Sequence, residues 1–443
     1  MYLLGVLVLV LGVLVSIALH EVGHLVPAKL FGVKCTQYMV GFGPTIWSRR
    51  VGETEYGVKA IPLGGYVRMI GMFPPKPDGT QRPDRAGRWG TMAEQARQDA
   101  QREIAPEDAH RLFYQRSVPK RLVIMLGGPV MNLLLSFVFL GVVVAGFGVP
   151  TTVPLVSSVS RCITPADQAQ RACTTSDRVA PAAAAGFQPG DEIVRFAGRP
   201  VASWAEVQKQ IRANTGTPVQ IVVRRAGREV PLTVTPAVTQ RPKLDENGEP
   251  VLGADGKPQL ASVGFLGVLP TRELQRQSLA VVPGLVGTAV KQTAAVVLVI
   301  PSKMVGIVQS VITGSERDPN GPISLVGIGR IAGESASAEA AGAGVAEPTV
   351  AERLAGPVSL VATLNVALFV FNLIPLLPLD GGHVAGALWE AVRRGVARLR
   401  RRPDPGPVDI ARALPLAYGV ASVLIGMSVL LIYADIVNPV RLG

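Results

Sequence analysis

LGVLVSIALHEVGHLVPAKL, residues 11–30, decides how the rest of the chain is read. From Tyr2 to Leu19 the sequence carries no charge, and its length and composition are those of a helix that spans a bilayer. His20, Glu21 and His24 then place three ionisable side chains at or near membrane depth, where each is costly unless the protein takes it up. At i and i+4 the two histidines share one helix face, so their imidazoles can bind one metal ion with Glu21 on the flank. The HExxH pattern also arises by chance, and a lone histidine on an apolar face is more often a satisfied core residue. Here two of only four histidines in the chain fall at metal spacing inside an apolar helix, which favours a metal site.

Composition points the same way. The 443 residues are 48% hydrophobic and 17% charged, and the mean hydropathy is +0.34. Such values suit an integral membrane protein carrying a polar domain. Four spans are expected: Leu3–Leu25, Leu122–Phe147, Val358–Leu379 and Leu414–Ile436. A net charge of +12 and a pI near 9.9 could suggest nucleic acid. The basic runs instead flank apolar spans, at Arg49 and Arg50, at Lys120 and Arg121, and at Arg393, Arg394, Arg398, Arg400, Arg401 and Arg402. By the positive-inside rule these segments are cytoplasmic, and nucleic acid is not an expected partner. The N-terminus then lies outside, the segment after the first span inside, the large middle region outside and the Arg393 loop inside. The first segment lacks a basic n-region and a small-residue cleavage site, so it is expected to be retained. Val281–Ile312 is a fifth apolar stretch, interrupted by Lys291, Pro301 and Lys303. It is expected to form amphipathic helices on the outer membrane surface or against the spans.

The expected fold is therefore a polytopic α-helical membrane protein with four transmembrane helices, a cytoplasmic-side β-hairpin loop and one extracytoplasmic α+β domain. In order these are a first transmembrane helix (1–31), a β-loop region with a charged linker (32–121), a second helix (122–148) and the α+β domain (149–240). An extracytoplasmic loop with amphipathic helices (241–356), a third transmembrane helix (357–384), a basic loop (385–412) and a fourth helix (413–437) follow. Thr36–Trp47 and Thr54–Met72 are rich in β-branched and aromatic residues and are punctuated by Gly64 and Gly65. That Gly-Gly pair is either an ordinary turn or part of a strand edge offered to an extended peptide. Phe73–Ala86 is a Pro-rich polar stretch, Thr239–Pro258 a polar loop and Glu334–Ala346 a linker. GGPVMN, Gly127–Asn132, opens the second span with small residues and an asparagine that needs a partner, serving helix packing, the site, or both. Cys162 and Cys173 fall outside, where a disulfide closing a short loop is permitted, and Cys35 inside should be a free thiol. The alternative is three unpaired small hydrophobes.

FNLIPLLPLDGGH, Phe371–His383, carries the second cluster. Pro375 and Pro378 are incompatible with an unbroken helix, so the backbone is expected to be irregular and to line a cavity. Asp380 ends an apolar run with nothing nearby to pair with, which is expensive for a bare carboxylate and natural for a third metal ligand. The alternation of spans makes HEVGH and LDGGH end at the same depth.

With HEVGH, PLGGYV, GGPVMN and NLIPLLPLDGGH standing in this order, the chain resembles the site-2 protease family (M50) of intramembrane zinc metalloproteases. It is most similar to the bacterial, PDZ-containing group typified by the regulator of sigma-E protease. PAAAAGFQPGDEIVRFAG, residues 181–198, resembles a PDZ domain. The resemblance implies that His20, His24 and Asp380 bind Zn2+ and that Glu21 is the general base for a zinc-activated water. It also implies that Gly64, Gly65 and Tyr66 belong to a membrane-inserted β-loop presenting the substrate as a strand, and that Asn372 and Pro375 lie near that strand. The family's following proline is replaced by Leu377, with Pro378 one position on, and His383 is not assigned as a ligand. The implied activity is zinc metalloendopeptidase cleavage of a peptide bond in or near a transmembrane segment. The implied partners are an anti-sigma factor trimmed beforehand by a site-1 protease, a peptide ligand of the PDZ domain, and membrane lipid. The implied location is the inner or plasma membrane, with the active site near the cytoplasmic side. Two rival readings are a non-proteolytic scaffold, which gives no use for Glu21, and a metal transporter, which gives none for a PDZ domain.

Overall fold

In the computed structural model the described residues are 1–75, 88–164, 172–245, 251, 253, 258–314, 317, 321–337 and 349–439. Residues 76–86 of the Pro-rich stretch, most of 246–257 in the polar loop and 338–346 of the linker lie outside them. The elements in chain order are α1 (Tyr2–Leu30), β1 (Cys35–Val51), β2 (Thr54–Met69), α2 (Arg88–Arg102), α3 (Val118–Gly141), β3 (Val149–Val159), α4 (Pro181–Ala184), β4 (Glu192–Phe196), β5 (Arg199–Pro200), α5 (Trp204–Ala213), β6 (Val219–Arg225), β7 (Arg228–Val234), β8 (Ala237–Pro242), β9 (Leu260–Phe265), β10 (Val268–Gln275), α6 (Val282–Thr313), α7 (Leu325–Ser337), α8 (Val350–Asn372), α9 (Asp380–Leu399) and α10 (Leu414–Val437). They fall into two compact units, one built from Met1–Phe147 and the chain after Arg276, the other from Gly148–Arg276.

The first unit is a helical bundle around α1, α3 and α8. Glycine brings α1 and α3 together: a Cβ on Gly127 would fall 1.9 Å from the Gly23 carbonyl oxygen, so nothing larger fits. Gly127 lies at Gly23 and Asn132 at His20, so α3 runs antiparallel to α1. Val361 meets Gly12, and the Asn365 amide donates to Ser16 Oγ at 2.8 Å, so α8 runs parallel to α1. Asn365 and Ser16 are almost wholly buried, and their hydrogen bond joins the two helices where lipid offers no partner, a bond worth about 0.6 kcal/mol on average. The Glu390 carboxylate, also fully buried, is held by Arg121 of α3, by Arg394 at 3.1 Å and by the Val408 N–H at 3.0 Å.

The strands of this unit fold back on each other. Met39 pairs with Tyr66 on one side and Gly57 on the other, and Val40 likewise with Gly65 and Val58. The first half of β1 is thus flanked by both halves of β2, and the stretch from Gly65 to Arg68 is left at the margin, where no further strand of the described residues pairs with it. Tyr38 ties this sheet to α1 by donating to the Ala18 carbonyl at 2.8 Å. Cys35 is a free thiol, buried at the start of β1, and burial pushes its pKa up to about 12.

Residues 281–312 correct an expectation. Val282–Thr313 is one continuous helix of 32 residues, α6, with Pro301 inside it, where more than one helix is expected. Among the described residues five helices are therefore long and apolar enough to cross a membrane, against the four spans expected from sequence. The segment starts with Leu279 beside Gly141, and its return helix α7 places Gly333 against Tyr2. Both contacts lie at the same end of the bundle, so α7 ends at the end where α6 begins, and α8 can run parallel to α1. A second network missed from sequence holds this return: buried Asp435 of α10 pairs with Arg317 and accepts from the Ser324 N–H at 2.6 Å.

The second unit is an α+β module. Its main sheet has the order β10-β3-β4-β6-β7, with β5 on β4, and β8 and β9 form a separate pair. Its core packs Phe187, Ile193, Phe196, Trp204, Val207, Ile221 and Val223. A disulfide joins Cys162 to Cys173.

Removing one partner of the buried Arg121–Glu390 pair strands a charge. Glu390→Ala is expected to destabilise the detergent-solubilised protein by about 3–5 kcal/mol in denaturant unfolding; a loss of under about 1 kcal/mol, the size seen for exposed pairs, would contradict it.

Candidate active site

The cluster is built at one end of the bundle, where α1, α3 and the start of α9 meet. Helix α8 stops at Asn372, and residues 373–379 run without helix until α9 begins on Asp380. The two glycines after Asp380 are required by this reversal: a Cβ on Gly381 would fall 2.2 Å from the Ile374 carbonyl oxygen, and one on Gly382 2.7 Å from Leu377 N. The turn delivers Asp380 to the histidines of α1. Its Oδ2 lies 3.4 Å from His20 Nε2 and 3.3 Å from His24 Nε2, and the two Nε2 atoms are 3.3 Å apart.

The protons of this cluster can be placed by elimination. His24 Nδ1 is 2.8 Å from the Ile124 carbonyl oxygen. A carbonyl cannot donate, so Nδ1 carries the hydrogen and the neutral ring's Nε2 presents a lone pair. His20 Nδ1 is 3.0 Å from the side-chain amide of fully buried Asn132, whose Oδ1 has no other partner. With that amide turned so that Oδ1 accepts from Nδ1–H, His20 Nε2 is also a lone pair. Asp380 Oδ2 is buried and accepts no hydrogen bond. In that arrangement three electron-rich atoms converge with no proton between them, the donor set of a divalent cation that accepts imidazole and carboxylate. Among the described residues this is the one group of three such side chains with ligand atoms mutually within 4.8 Å.

Gly128 lies against this cluster: a Cβ there would fall 2.2 Å from His24 Nε2. GGPVMN thus serves both packing and the site. Glu21, 8% exposed, stands beside the ligands on α1. Gly65 faces it, since a Cβ there would lie 2.8 Å from Glu21 Cγ and 3.2 Å from Oε1, while Gly64 sits at φ +111° under the Phe42 ring. The other expected site residues are not among the three converging side chains. Tyr66 stacks on Phe42 and reaches Gln37 Oε1 with its hydroxyl at 3.3 Å. Asn372 is half-buried at the end of α8. Pro375 lines a cavity of about 300 Å3 with Leu377, Gly382, Ile410 and Leu416. His383 is not part of the three-ligand group, and its Nδ1 is buried without a partner. The Ile124 carbonyl is a partner that no sequence signal announces.

Residues 8–402 match the model of Peptidase family M50. The chain belongs to that family. It is 33% identical over 450 residues to Zinc metalloprotease Rip1 of Mycobacterium tuberculosis, covering 100% of this chain and 99% of the relative. Zinc metalloprotease Rip1 of Mycolicibacterium smegmatis is 33% identical over 456 residues, again with 100% and 99% covered. Metalloprotease MmpA of Caulobacter vibrioides is 27% identical over 394 residues, covering 88% and 86%. This M50 peptidase is a multi-pass membrane zinc metalloprotease, and the converging lone pairs suit the metal its family implies.

Asn132→Ala removes the acceptor that fixes His20, and zinc affinity measured by chelator competition is expected to fall roughly 10- to 100-fold. Asn132→Asp keeps an acceptor and should retain most of the affinity. Unchanged affinity in the alanine variant would contradict the role.

Proposed function

We propose that this M50 peptidase cleaves a peptide bond in or near the transmembrane segment of a membrane protein, with His20, His24 and Asp380 as zinc ligands and Glu21 as general base. The observation that carries the reading is the approach of Gly65 to Glu21 beside the three-ligand cluster. It sets the open margin of a β-sheet against the catalytic carboxylate. A transmembrane helix hides its peptide bonds in its own hydrogen bonds, so it must unwind to be cut. The Gly65–Arg68 margin can replace the lost bonds by strand addition, with only a hydrogen atom at Gly65 between the added chain and Glu21. Exposed Phe42, Ile46, Ile61 and Leu63 give the hairpin an apolar tip suited to the bilayer. Asn372 and Pro375 would border the same strand.

Zinc, when bound, polarises the scissile carbonyl and lowers the pKa of a water. Glu21 takes the proton from the attacking water and returns it to the leaving nitrogen. Gly128 and Gly23 let α3 close over the cluster and exclude lipid. The basic loop after α9 argues for a cytoplasmic location of this end of the bundle, with four crossings and α6 held at the outer side by α7. The second unit is read as an extracytoplasmic PDZ domain that binds a peptide or filters substrates by size. The substrate would then be an anti-sigma factor already shortened by a site-1 protease.

Glu21→Gln is expected to retain zinc and lose roughly 10^2- to 10^4-fold in cleavage of a model transmembrane substrate; undiminished cleavage would remove Glu21 from the mechanism. Wild type should cut a trimmed substrate faster than one bearing a folded ectodomain, and equal rates would refute the filter.

A further inference from the structure

Helix α9 joins the metal cluster to the most basic stretch of the chain. It begins with Asp380, and one face turns inward, with Val384 packed on the α1–α3 core and Ala387 and Glu390 buried. The opposite face presents Leu388, Trp389, Val392, Val396 and Leu399, between 43% and 86% exposed. Their spacing makes one apolar stripe along the helix. At its end Arg398, Arg400, Arg401 and Arg402 are all exposed, and none meets a carboxylate among the described residues. The helix closes with the Arg402 N–H on the Ala397 carbonyl at 2.8 Å and the Arg401 N–H on the Arg398 carbonyl at 3.1 Å, around Arg401 at φ +51°. Glycine occupies such a left-handed position at least cost. A guanidinium there is a charge kept against conformational preference, which points to a use for it.

An apolar stripe, a buried face opposite it and a terminal cluster of uncompensated arginines match an interfacial helix on an anionic leaflet. We propose that the α9 stripe lies among the acyl chains of one leaflet, that Arg398, Arg400, Arg401 and Arg402 bind the phosphates of anionic phospholipids, and that this contact holds Asp380 at the metal site. The coupling rests on the reading of Asp380 as a zinc ligand. Since α9 is one helix from Asp380 to Leu399, a lipid contact that fixes its far end restricts the tilt of its first residue against α1. Zinc retention then responds to the headgroups of the bilayer, a form of regulation by lipid composition.

The intact chain is reconstituted in phosphatidylcholine vesicles with and without phosphatidylglycerol, as wild type, as Trp389→Phe, and with all four arginines changed to glutamine or to lysine. Quenching of Trp389 by brominated acyl chains, taken as the difference between wild type and Trp389→Phe, reads the membrane contact without reference to metal or cleavage. Zinc affinity by chelator titration reads the coupling. The expected result is clear quenching, a zinc affinity about tenfold higher with phosphatidylglycerol, loss of that dependence with glutamines and its return with lysines. Absence of Trp389 quenching overturns the membrane contact. Zinc affinity that is indifferent to phosphatidylglycerol, or a dependence that survives the glutamines, overturns the coupling. A wild type that binds no zinc in any vesicle overturns the coupling together with the ligand assignment, while the quenching still decides where α9 lies.

Discussion

Three lone pairs aimed at one another inside an apolar helix bundle repel unless a cation lies between them, and much of this fold exists to hold them there. His20 and His24 are fixed by the helix period, but their rings are oriented from α3, by Asn132 and by the carbonyl of Ile124. That requires α3 to come within backbone distance of α1, which Gly23, Gly127 and Gly128 permit. Asp380 comes from a third element and needs α8 to stop and reverse; Pro375 and Pro378 stand in the non-helical segment after Asn372, and the glycines after Asp380 let the new helix pack against that segment. Each of these sequence features is hard to justify by packing alone, and together they serve one geometric end.

The remaining polar groups of the bundle follow a different rule, that in lipid every such group must find its partner within the protein. Asn365 with Ser16, Glu390 with Arg121, and Asp435 with Arg317 and Ser324 are all nearly or wholly buried, and each joins elements remote in sequence. They act as registration points that fix α8 against α1, α9 against α3, and α10 against the segment between α6 and α7. Glu390 and Asp380 lie on the same helix, so the ion pair at its middle and the His20–His24–Asp380 group at its start constrain a single element.

What could be read from sequence was whatever has a local cause. The i, i+4 spacing of His20 and His24, the proline-broken run before Asp380 and the apolar lengths of the spans are all local patterns. The sequence also showed that Asn132 needed a partner, but the partner lies 112 residues away and only packing selects it. The pairing of Arg317 with Asp435 is hidden for the same reason: Glu316 and Asp318 flank Arg317 in the chain, and only packing selects a partner 118 residues away. The continuity of α6 is not legible because Lys291, Pro301 and Lys303 look like interruptions in a window, whereas a helix of 32 residues absorbs them. The folding of β1 between both halves of β2 was also invisible, because pairing of one stretch with two others leaves no trace in alternation.

The most direct test of the central claim is zinc-edge X-ray absorption of the purified protein, wild type beside Asp380→Ala. Two imidazole nitrogens and carboxylate or water oxygens at about 2.0–2.2 Å are expected in wild type, with occupancy falling in the variant. A sulfur shell, a different number of imidazoles, or a spectrum and occupancy unchanged by loss of Asp380 would contradict it.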